Sequence, residues 1–180
     1  MRGCWIAIAT AANLAASAAA AAEICESQES APSAGSMRLC VSSVLAPQAG
    51  RDYGPRNLMG TIEPGGAWCE GVPGPGIGER ITIHMKPPTN FRSISITNGY
   101  ARTEDTFRRN GRIKRALIET NRGFKREVTL KDSREEQKIA LPGITAGWVR
   151  LTIVEVYPGS RGTDTCVTEI GVDYENSTLN

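Results

Sequence analysis

The sequence predicts an all-β sandwich with little helix, and three observations support this prediction. From Arg80 onward, short runs of β-favouring residues recur about every ten residues, separated by Gly, Pro, Asn and Asp. Within these runs apolar and polar side chains alternate, as in strands with one face in a core and the other in solvent. No stretch shows a convincing helical period of apolar residues, so helix should be a minor component.

The runs after residue 80 are assigned to strands in chain order. In the first, Ile81, Ile83 and Met85 share one face. The third run, Arg112–Thr120, keeps its apolar residues on one face only if the chain slips by one residue near Lys114 and Arg115, which predicts a β-bulge. The predicted runs are Arg80–Lys86, Arg92–Thr97, Lys125–Asp132, Gln137–Leu141, Trp148–Val156 and Cys166–Tyr174, with Arg112–Thr120 as the bulged run before Lys125.

The first 22 residues differ from the rest of the chain. Arg2 gives a positive start, an alanine-dominated run follows from Trp5, and the small residues Ala20 to Ala22 precede Glu23. We interpret residues 1–22 as a secretory signal peptide that is removed, which predicts a secreted or periplasmic protein. An uncleaved membrane anchor is the alternative, but polar residues interrupt the run and alanine is only weakly apolar.

Two further segments follow the signal peptide. Residues 23–36, EICESQESAPSAGS, are small and polar without a period, so they are interpreted as a polar linker or a cysteine-pinned tail. Residues 37–176 are predicted to form one folded domain, because the remaining length suits a single core. No segment after the signal peptide is apolar enough to span a bilayer, so no membrane span is expected in the mature protein.

The charge balance excludes some classes of partner. Removal of Arg2 from the 21 basic residues leaves 20, against 19 acidic residues, so the net charge gives no reason to expect a nucleic-acid partner. Basic residues are concentrated between Arg102 and Arg126. This segment is either a solvated strand face with its loops or a patch for anionic glycans or phosphates.

Four cysteines remain after signal cleavage, which in an exported chain suggests two disulfides. Their spacing matches no zinc-ligand pair, so no metal site is expected from them. Three pairings are possible, and we favour Cys25 with Cys40 and Cys69 with Cys166. The second pair would close a long loop, worth on the order of 4 kcal/mol in the chain-entropy model.

The glycine-rich stretch AWCEGVPGPGIGER, Ala67 to Arg80, is not a nucleotide loop. A phosphate-binding loop needs a helix after it whose N-terminal amides meet the phosphates, whereas here a strand follows. Pro75 also removes one amide. The glycines are instead predicted to form tight turns at the edge of the sandwich.

The sequence gives little support for catalysis. The only histidine, His84, lies on the polar face of a regular strand, and a Ser-His-Asp or Cys-His arrangement would have to use it. Several carboxylates lie in or near predicted loops, but nothing indicates that two of them converge as an acid and a base. Each is equally explained as a buried structural acid, a cation ligand or a sugar acceptor. We expect no enzyme activity.

Loop residues of the kind that bind carbohydrate are more informative. Trp68, Tyr100 and Tyr157 are candidate platforms for the C–H face of a sugar, and polar loop residues are candidate partners for hydroxyl groups. These polar candidates are Glu70, Asn98, Arg102 and Asp164. For Trp68, packing over the Cys69 disulfide is the favoured alternative, because a tryptophan next to a buried cystine is commonly a core residue.

Several motifs resemble one known family. They are YGPRNLMG (Tyr53 to Gly60), AWCEGVPGPGIGE (Ala67 to Glu79), ISITNGY (Ile94 to Tyr100), NGRIKRALIET (Asn110 to Thr120), VTLKD (Val128 to Asp132) and WVRLTIVEVYPGSRGTDTCVTEI (Trp148 to Ile170). Together they resemble the NAD glycohydrolase-type glycan-binding domain, a discoidin-like relative of coagulation-factor C-type and galactose-binding-like modules. The resemblance implies a jelly-roll sandwich of about eight antiparallel strands that binds glycans on loops at one end. It does not imply NAD hydrolysis, since that activity belongs to a separate catalytic domain.

The resemblance also implies site residues. The motif positions fall on Trp68 and Glu70, Asn98 and Tyr100, Asn110 and Arg112, and Tyr157 and Asp164. In galactose-binding relatives an aspartate-glycine pair after the NL of the first motif helps to hold a structural calcium ion. Here Asn57-Leu58 runs into MGTIEPGG, so no cofactor is expected, although Glu63 and Glu169 could supply oxygen ligands.

The sequence therefore predicts a secreted, disulfide-stapled module that binds glycans or glycoconjugates and has no catalytic activity of its own. The main alternative is an envelope-associated structural module that uses the same fold to bind a protein partner. A small hydrolase acting through the loop carboxylates is a weaker third hypothesis.

Overall fold

The computed structural model describes residues 22–29, 36–60 and 65–174. The predicted signal peptide lies outside these residues, except for Ala22, and Glu63 lies outside them as well. Within the described ranges no helix is long and apolar enough to cross a membrane.

The described chain forms eight strands and two short helical segments. In chain order they are β1 (Ile24–Glu29), β2 (Ser36–Val41), a 3-10 helix (Pro55–Leu58), β3 (Trp68–Cys69), β4 (Arg80–Asn98), α1 (Glu104–Arg109), β5 (Arg112–Thr120), β6 (Lys125–Thr129), β7 (Glu136–Tyr157) and β8 (Cys166–Tyr174). The described strand pairings are antiparallel, in the order β1-β2-β4-β7-β5-β6, with β8 joining β4 and β3. The prediction of an all-β sandwich with little helix is confirmed.

The strands β4 and β7 contribute to both layers of the sandwich. The first part of β4 pairs with β2 and with the second part of β7, and its last part pairs with β8 and with the first part of β7. Register shifts between His84 and Thr89 mark where β4 bends from one layer to the other. Arg80 and Asn98 therefore lie at one end of the sandwich, here called the loop end. The bends lie at the opposite end, here called the bend end.

These long strands correct the sequence-based strand boundaries. From the sequence, Arg80–Lys86 and Arg92–Thr97 are predicted as separate strands, and so are Gln137–Leu141 and Trp148–Val156, because proline and glycine lie between the runs. In the structure each pair is one strand. Proline and glycine bend the strands here without ending them, which a local turn signal does not distinguish.

Part of the segment predicted as a polar linker or cysteine-pinned tail is a strand in the structure, and its cysteine, Cys25, is bonded to Cys40. Ile24–Glu29 form the edge strand β1, which pairs with the whole of β2. Ile24 stays largely exposed, so the strand buries little apolar surface and shows no clear alternation. Backbone hydrogen bonds to β2 and the Cys25–Cys40 disulfide hold the strand in place. Neither interaction produces a periodic pattern of apolar residues in the sequence.

The apolar faces of the two layers meet in one core. Ile81, Ile83 and Met85 are buried on the predicted face of β4, and Trp68 and Phe91 are the largest fully buried side chains. The predicted bulge in β5 is confirmed, because the register against β7 shifts between Ile113 and Arg115 and again before Ala116.

Two disulfides fasten opposite edges of the fold. Cys25 pairs with Cys40 across β1 and β2, and Cys69 pairs with Cys166 across β3 and β8. These are the two pairs that the sequence analysis favours. The second disulfide lies next to Tyr100 in a small buried cluster under the loop end.

Candidate functional site

The loops at the loop end form a cleft with Tyr100 at its centre. Two adjoining hollows, of about 220 and 370 Å³, share Arg51 and Tyr100 as lining residues. We call them together the loop-end cleft. The first is also lined by Asp52 and Arg102, and the second by residues that include Leu45, Gln48, Tyr53, Thr106, Arg109, Asn110 and Asp164.

Tyr100 forms the floor of the cleft and holds Tyr53 and Arg51 in position. Its ring is only 6% exposed and meets the ring of Tyr53 edge-on, with centroids 6.3 Å apart. Its hydroxyl accepts a hydrogen bond of 3.0 Å from Nη1 of Arg51. Tyr100 is one of the candidate sugar platforms in the sequence, but its burial leaves the partly exposed Tyr53 as the more accessible aromatic surface.

A short helix holds the loop that carries Tyr100. Thr103 caps α1 through a capping box, since its hydroxyl accepts from the backbone N–H of Thr106 and the Thr106 hydroxyl accepts from the N–H of Thr103. The Thr106 hydroxyl also lies 3.0 Å from the carbonyl oxygen of Tyr100, to which it donates. The sequence analysis expects only minor helix and does not locate this one, because Phe107 is its single buried residue.

Asn110 and Asp164 lie on the other wall of the cleft. Asn110 donates from Nδ2 to the carbonyl oxygen of Thr106 at 2.8 Å, which orients its amide. The partly exposed Asp164 carboxylate makes no hydrogen bond or ion pair with any side chain that the structure describes. Asp164 is therefore available to a ligand, and so is the exposed Arg102 across the cleft.

Three predicted site residues are buried beneath the cleft. Trp68 has no accessible surface, and its indole N–H donates to the carbonyl oxygen of Ser43 at 2.8 Å, so it is a core residue. Asn98 is equally buried and bridges the backbone N–H and C=O of Ile113. Neither side chain presents a surface to a ligand in this structure.

The third buried residue, Glu70, organises the glycine-rich stretch. Its two oxygens accept the backbone N–H groups of Thr165 at 3.1 Å and Val72 at 2.9 Å. A Cβ atom at Gly76 would lie 2.4 Å from Cγ of Glu70 and 2.6 Å from its carboxyl carbon, so glycine is required for this approach. Burial raises the pKa of Glu70, its two backbone hydrogen bonds oppose that rise, and the negative charges of Asp164 and Glu79 add to it.

Comparison with known protein families identifies the family of the chain. Residues 32–173 match the model of the NAD glycohydrolase translocation F5/8 type C domain. The chain belongs to this family. No curated protein matches the sequence.

Solved structures resemble this F5/8 type C domain in fold. A family 32 carbohydrate-binding module from Clostridium perfringens NanJ, in complex with galactose, superposes with a TM-score of 0.55 at 19% identity, over 76% of this chain and 92% of that chain. A second C. perfringens module, CBM32-5 of GH89 in complex with GalNAc-β-1,3-galactose, gives 0.52 at 15% identity, over 76% and 94%. The mycobacterial arabinofuranosyltransferase AftD (R1389S mutant) gives 0.59 at 17% identity, over 84% of this chain and 11% of that chain.

Two other predicted site residues of the F5/8 type C domain form a separate cluster. Arg112 is 8% exposed and donates from Nε and Nη2 to the two carboxylate oxygens of Asp132, at 3.0 and 2.8 Å. Its guanidinium carbon lies 6.0 Å from the ring centroid of Tyr157, whose hydroxyl donates to the carbonyl oxygen of Leu130. Arg112 is thus engaged in holding loops together, and Tyr157 is tied to the same cluster and does not line the loop-end cleft.

The basic segment between Arg102 and Arg126 does not form a continuous patch. Six of its cations make ion pairs with acidic side chains, namely Arg108, Arg109, Arg112, Lys114, Arg115 and Lys125. These contacts favour the solvated-face alternative, because paired surface charges leave little net positive potential for an anionic ligand.

Arg51 and Tyr53 are not among the ligand-binding residues predicted from the sequence. Arg51 precedes the YGPRNL motif, and Tyr53 begins it, but neither position shows from sequence alone that its loop folds over Tyr100. The available signal is the placement of Arg51-Asp52-Tyr53 between two glycines, Gly50 and Gly54, which is typical of a loop that carries functional side chains.

Among the described residues, one group has the spacing of metal ligands: Glu23, Cys40 and His84. Cys40 is bonded to Cys25, so it has no thiolate to offer while the disulfide is intact. Glu169, the other calcium candidate, lies against the Gly60 turn, where its carboxyl would meet a side chain at 2.4 Å. Neither place carries a metal assignment.

Proposed function

We propose that the chain is a secreted, non-catalytic glycan-binding module whose ligand occupies the loop-end cleft. The observation that carries this proposal is the convergence there of an accessible tyrosine, two exposed arginines and an unpaired carboxylate, on Tyr53, Arg51, Arg102 and Asp164. Sugars present apolar C–H faces and hydroxyl edges, so this mixture of surfaces suits them. Two modules of the same fold are in complex with galactose or a galactose-containing disaccharide, which supports the ligand class.

Each side chain has a role in this mechanism. The sugar ring packs on Tyr53 above the fixed ring of Tyr100, and Arg51, held by the Tyr100 hydroxyl, donates to a sugar oxygen. Asp164 accepts from a hydroxyl, and Arg102 donates from the opposite wall. One such site is small, so tight attachment to a surface would depend on repeated ligands.

The absence of catalysis is proposed on the same geometry. Glycoside hydrolysis commonly needs two accessible carboxyl groups on either side of the scissile bond. Glu70, the acid that is electrostatically coupled to Asp164, is fully buried and accepts two backbone hydrogen bonds. It is therefore not free to exchange protons with a substrate. The only histidine, His84, lies toward the bend end.

The test is a glycan array with the oxidised mature domain, residues 23–180, followed by calorimetry on the sugars that bind. Tyr53→Ala and Asp164→Ala should each weaken binding by about tenfold or more, because each removes a direct contact. Arg122→Ala, which removes an exposed arginine from the turn between β5 and β6, is the matched control and should leave the affinity unchanged. A folded wild type that binds no glycan would overturn the proposal and favour a protein partner in the envelope.

A further inference from the structure

A second cleft of about 530 Å³ lies at the bend end, on the solvent side of the sheet. This volume falls within the range of roughly 300 to 1,000 Å³ that is usual for small-molecule sites. We call it the sheet-face groove. Its lining includes Ser27, Arg38, His84, Lys86 and Trp148. The proposed glycan site uses none of these residues.

Strand register places four of these side chains in one row. Ser27 on β1 is opposite Arg38 on β2, Arg38 is opposite His84 on β4, and His84 is opposite Trp148 on β7. Directly opposed residues in antiparallel strands point to the same face, with Cβ atoms about 4.5 to 5.5 Å apart. The row therefore presents a hydroxyl, a guanidinium, an imidazole and an indole side by side.

The residues that line the groove carry positive charge, and the acid described beside it is Glu23, which lies close to His84 and pairs with Arg150. Arg38 and Lys86 are exposed and make no ion pair with any side chain that the structure describes. None of the described residues that line the groove is acidic. Burial lowers the pKa of His84 below 6.5, and the charges of Arg38, Arg150 and Lys86 lower it further against the opposing charge of Glu23. Such a surface favours a negatively charged ligand.

The aromatic member of the row is held in place by its neighbours. The guanidinium carbon of Arg150 lies 5.0 Å from the ring centroid of Trp148. Arg150 is itself fixed, because it donates to the Thr82 hydroxyl at 3.2 Å and lies 3.5 Å from a carboxylate oxygen of Glu23. The side-chain oxygen of Asn121 accepts the backbone N–H groups of Gly147 and Trp148. The indole is thus a preorganised apolar surface beside Arg38 and Lys86.

We propose that the sheet-face groove is a second binding site, for a carboxylate-bearing sugar unit of an acidic glycan. The C–H face of the sugar ring packs against Trp148, and its carboxylate lies between Arg38 and Lys86. His84 and Ser27 complete the site as hydrogen-bonding partners for ring substituents. A small inorganic anion would make no packing contact with the Trp148 indole. A neutral sugar would make no charge-pairing contact with Arg38 or Lys86.

The chain contains one histidine, so His84 reports directly on this groove. Its imidazole proton resonance is followed by NMR as a function of pH, with and without trigalacturonate, an alginate trisaccharide or a hyaluronan tetrasaccharide. A carboxylate bound beside His84 stabilises the imidazolium, so at least one of these probes should raise the His84 pKa by about 0.5 or more. By linkage, affinity for that probe should increase as the pH falls through the His84 pKa.

Matched ligands and variants separate this site from the loop-end cleft. The methyl ester of the active oligosaccharide keeps the ring and loses the charge, so it should bind about tenfold more weakly or worse and leave the His84 pKa unchanged. Arg38→Ala with Lys86→Ala should cause a similar loss for the acidic probe, with an unchanged melting temperature. Arg51→Ala, in the loop-end cleft, should leave the His84 response intact.

Three outcomes would overturn the proposal. The first is that none of the acidic probes changes the His84 pKa. The second is that the response disappears with Arg51→Ala and persists in the Arg38 and Lys86 double variant, which would place acidic sugars in the loop-end cleft and leave the proposed function standing. The third is that a hexanucleotide raises the His84 pKa as strongly as the oligosaccharides do, which would make the groove an unspecific cationic surface.

Discussion

At the scale of single residues, Glu70 shows how one buried carboxylate organises a binding surface that it does not touch. It joins the glycine-rich stretch to the last loop by accepting backbone N–H groups from Val72 and Thr165. The Thr165 hydroxyl also donates to the carbonyl oxygen of Pro75, which closes the same junction. The wall of the loop-end cleft that carries Asp164 therefore depends on Glu70.

We expect Glu70→Ala to destabilise the domain by about 2 to 4 kcal/mol, because it leaves two backbone N–H groups without their acceptors. Urea denaturation of the oxidised protein measures this change in the free energy of unfolding. Glu135→Ala, which removes an exposed glutamate, is the control and should change stability by less than about 0.5 kcal/mol. Equal effects of the two substitutions would contradict the structural role of Glu70.

Glu70 also predicts a pH dependence. Its pKa in the folded protein is raised above the ordinary value of 4.5, so its contribution to stability is greatest below that pH and is lost as the pH rises through the folded pKa. A glutamine at this position does not titrate. The difference in unfolding free energy between wild type and Glu70→Gln should therefore fall as the pH is raised from about 4 to about 8. A difference that stays constant or grows would refute this sign.

Residue types and motif positions predicted some of the residues that line the loop-end cleft, but not all of them. Tyr100, Arg102, Asn110 and Asp164 line the loop-end cleft, but Trp68, chosen by the same criterion, is a core residue. An aromatic or polar residue in a loop motif has the same appearance in sequence whether it faces solvent or the core. Burial depends on how separate loops pack together, and one sequence does not contain that information.

At the scale of elements, three strands meet at Asp173 near the end of β8. Its carboxylate accepts from the hydroxyl of Ser93 on β4 at 2.6 Å and pairs with the ammonium group of Lys138 on β7 at 2.5 Å. Hydrogen bonding to Lys138, then to Ser93, lowers the pKa of Asp173 below 3.8. This contact joins β4, β7 and β8 in the layer that contains β8.

We expect Asp173→Asn to lower stability at neutral pH and to have little effect in strong acid. A carboxyl group whose folded pKa is depressed contributes stability above its unfolded pKa, and this contribution is lost as the pH falls through the folded pKa. Thermal unfolding of wild type and variant between about pH 7 and about pH 2 tests the prediction. A gap in melting temperature that persists at the acidic limit would contradict it.

The long strands show why element boundaries were only partly predictable. The apolar alternation of Ile81, Ile83 and Met85 is local, so the strand and its buried face follow from the sequence. The junction between Lys86 and Phe91 contains two prolines, which are equally compatible with a turn and with a bent edge. The partner strands decide between these outcomes, and they lie far away in the sequence.

At the scale of the whole molecule, the two disulfides differ in burial and in the length of chain that they close. Cys25 is exposed, whereas Cys69 and Cys166 are at most 1% exposed. The sequence separations are 15 and 97 residues, which correspond to about 3 and about 4.7 kcal/mol in the chain-entropy model.

We expect a mild reductant to open the Cys25–Cys40 bridge first and to open Cys69–Cys166 only when the domain unfolds, because thiolate attack requires access to a sulfur atom. Alkylation followed by mass spectrometry at successive times measures the order. Replacement of Cys69 and Cys166 by alanine should also lower stability more than replacement of Cys25 and Cys40. Simultaneous reduction of both bridges in the folded protein would refute the prediction.

The sharing of β4 and β7 between the layers has a consequence for local opening. In a sandwich whose layers are joined only by loops, one sheet is able to peel away while the other stays intact. Here the opening of either layer would disturb β4 and β7, which remain hydrogen-bonded in the other layer. Backbone amides near Ile83 and near Ile96 should therefore exchange with deuterium at one common rate, as members of a single cooperative unit.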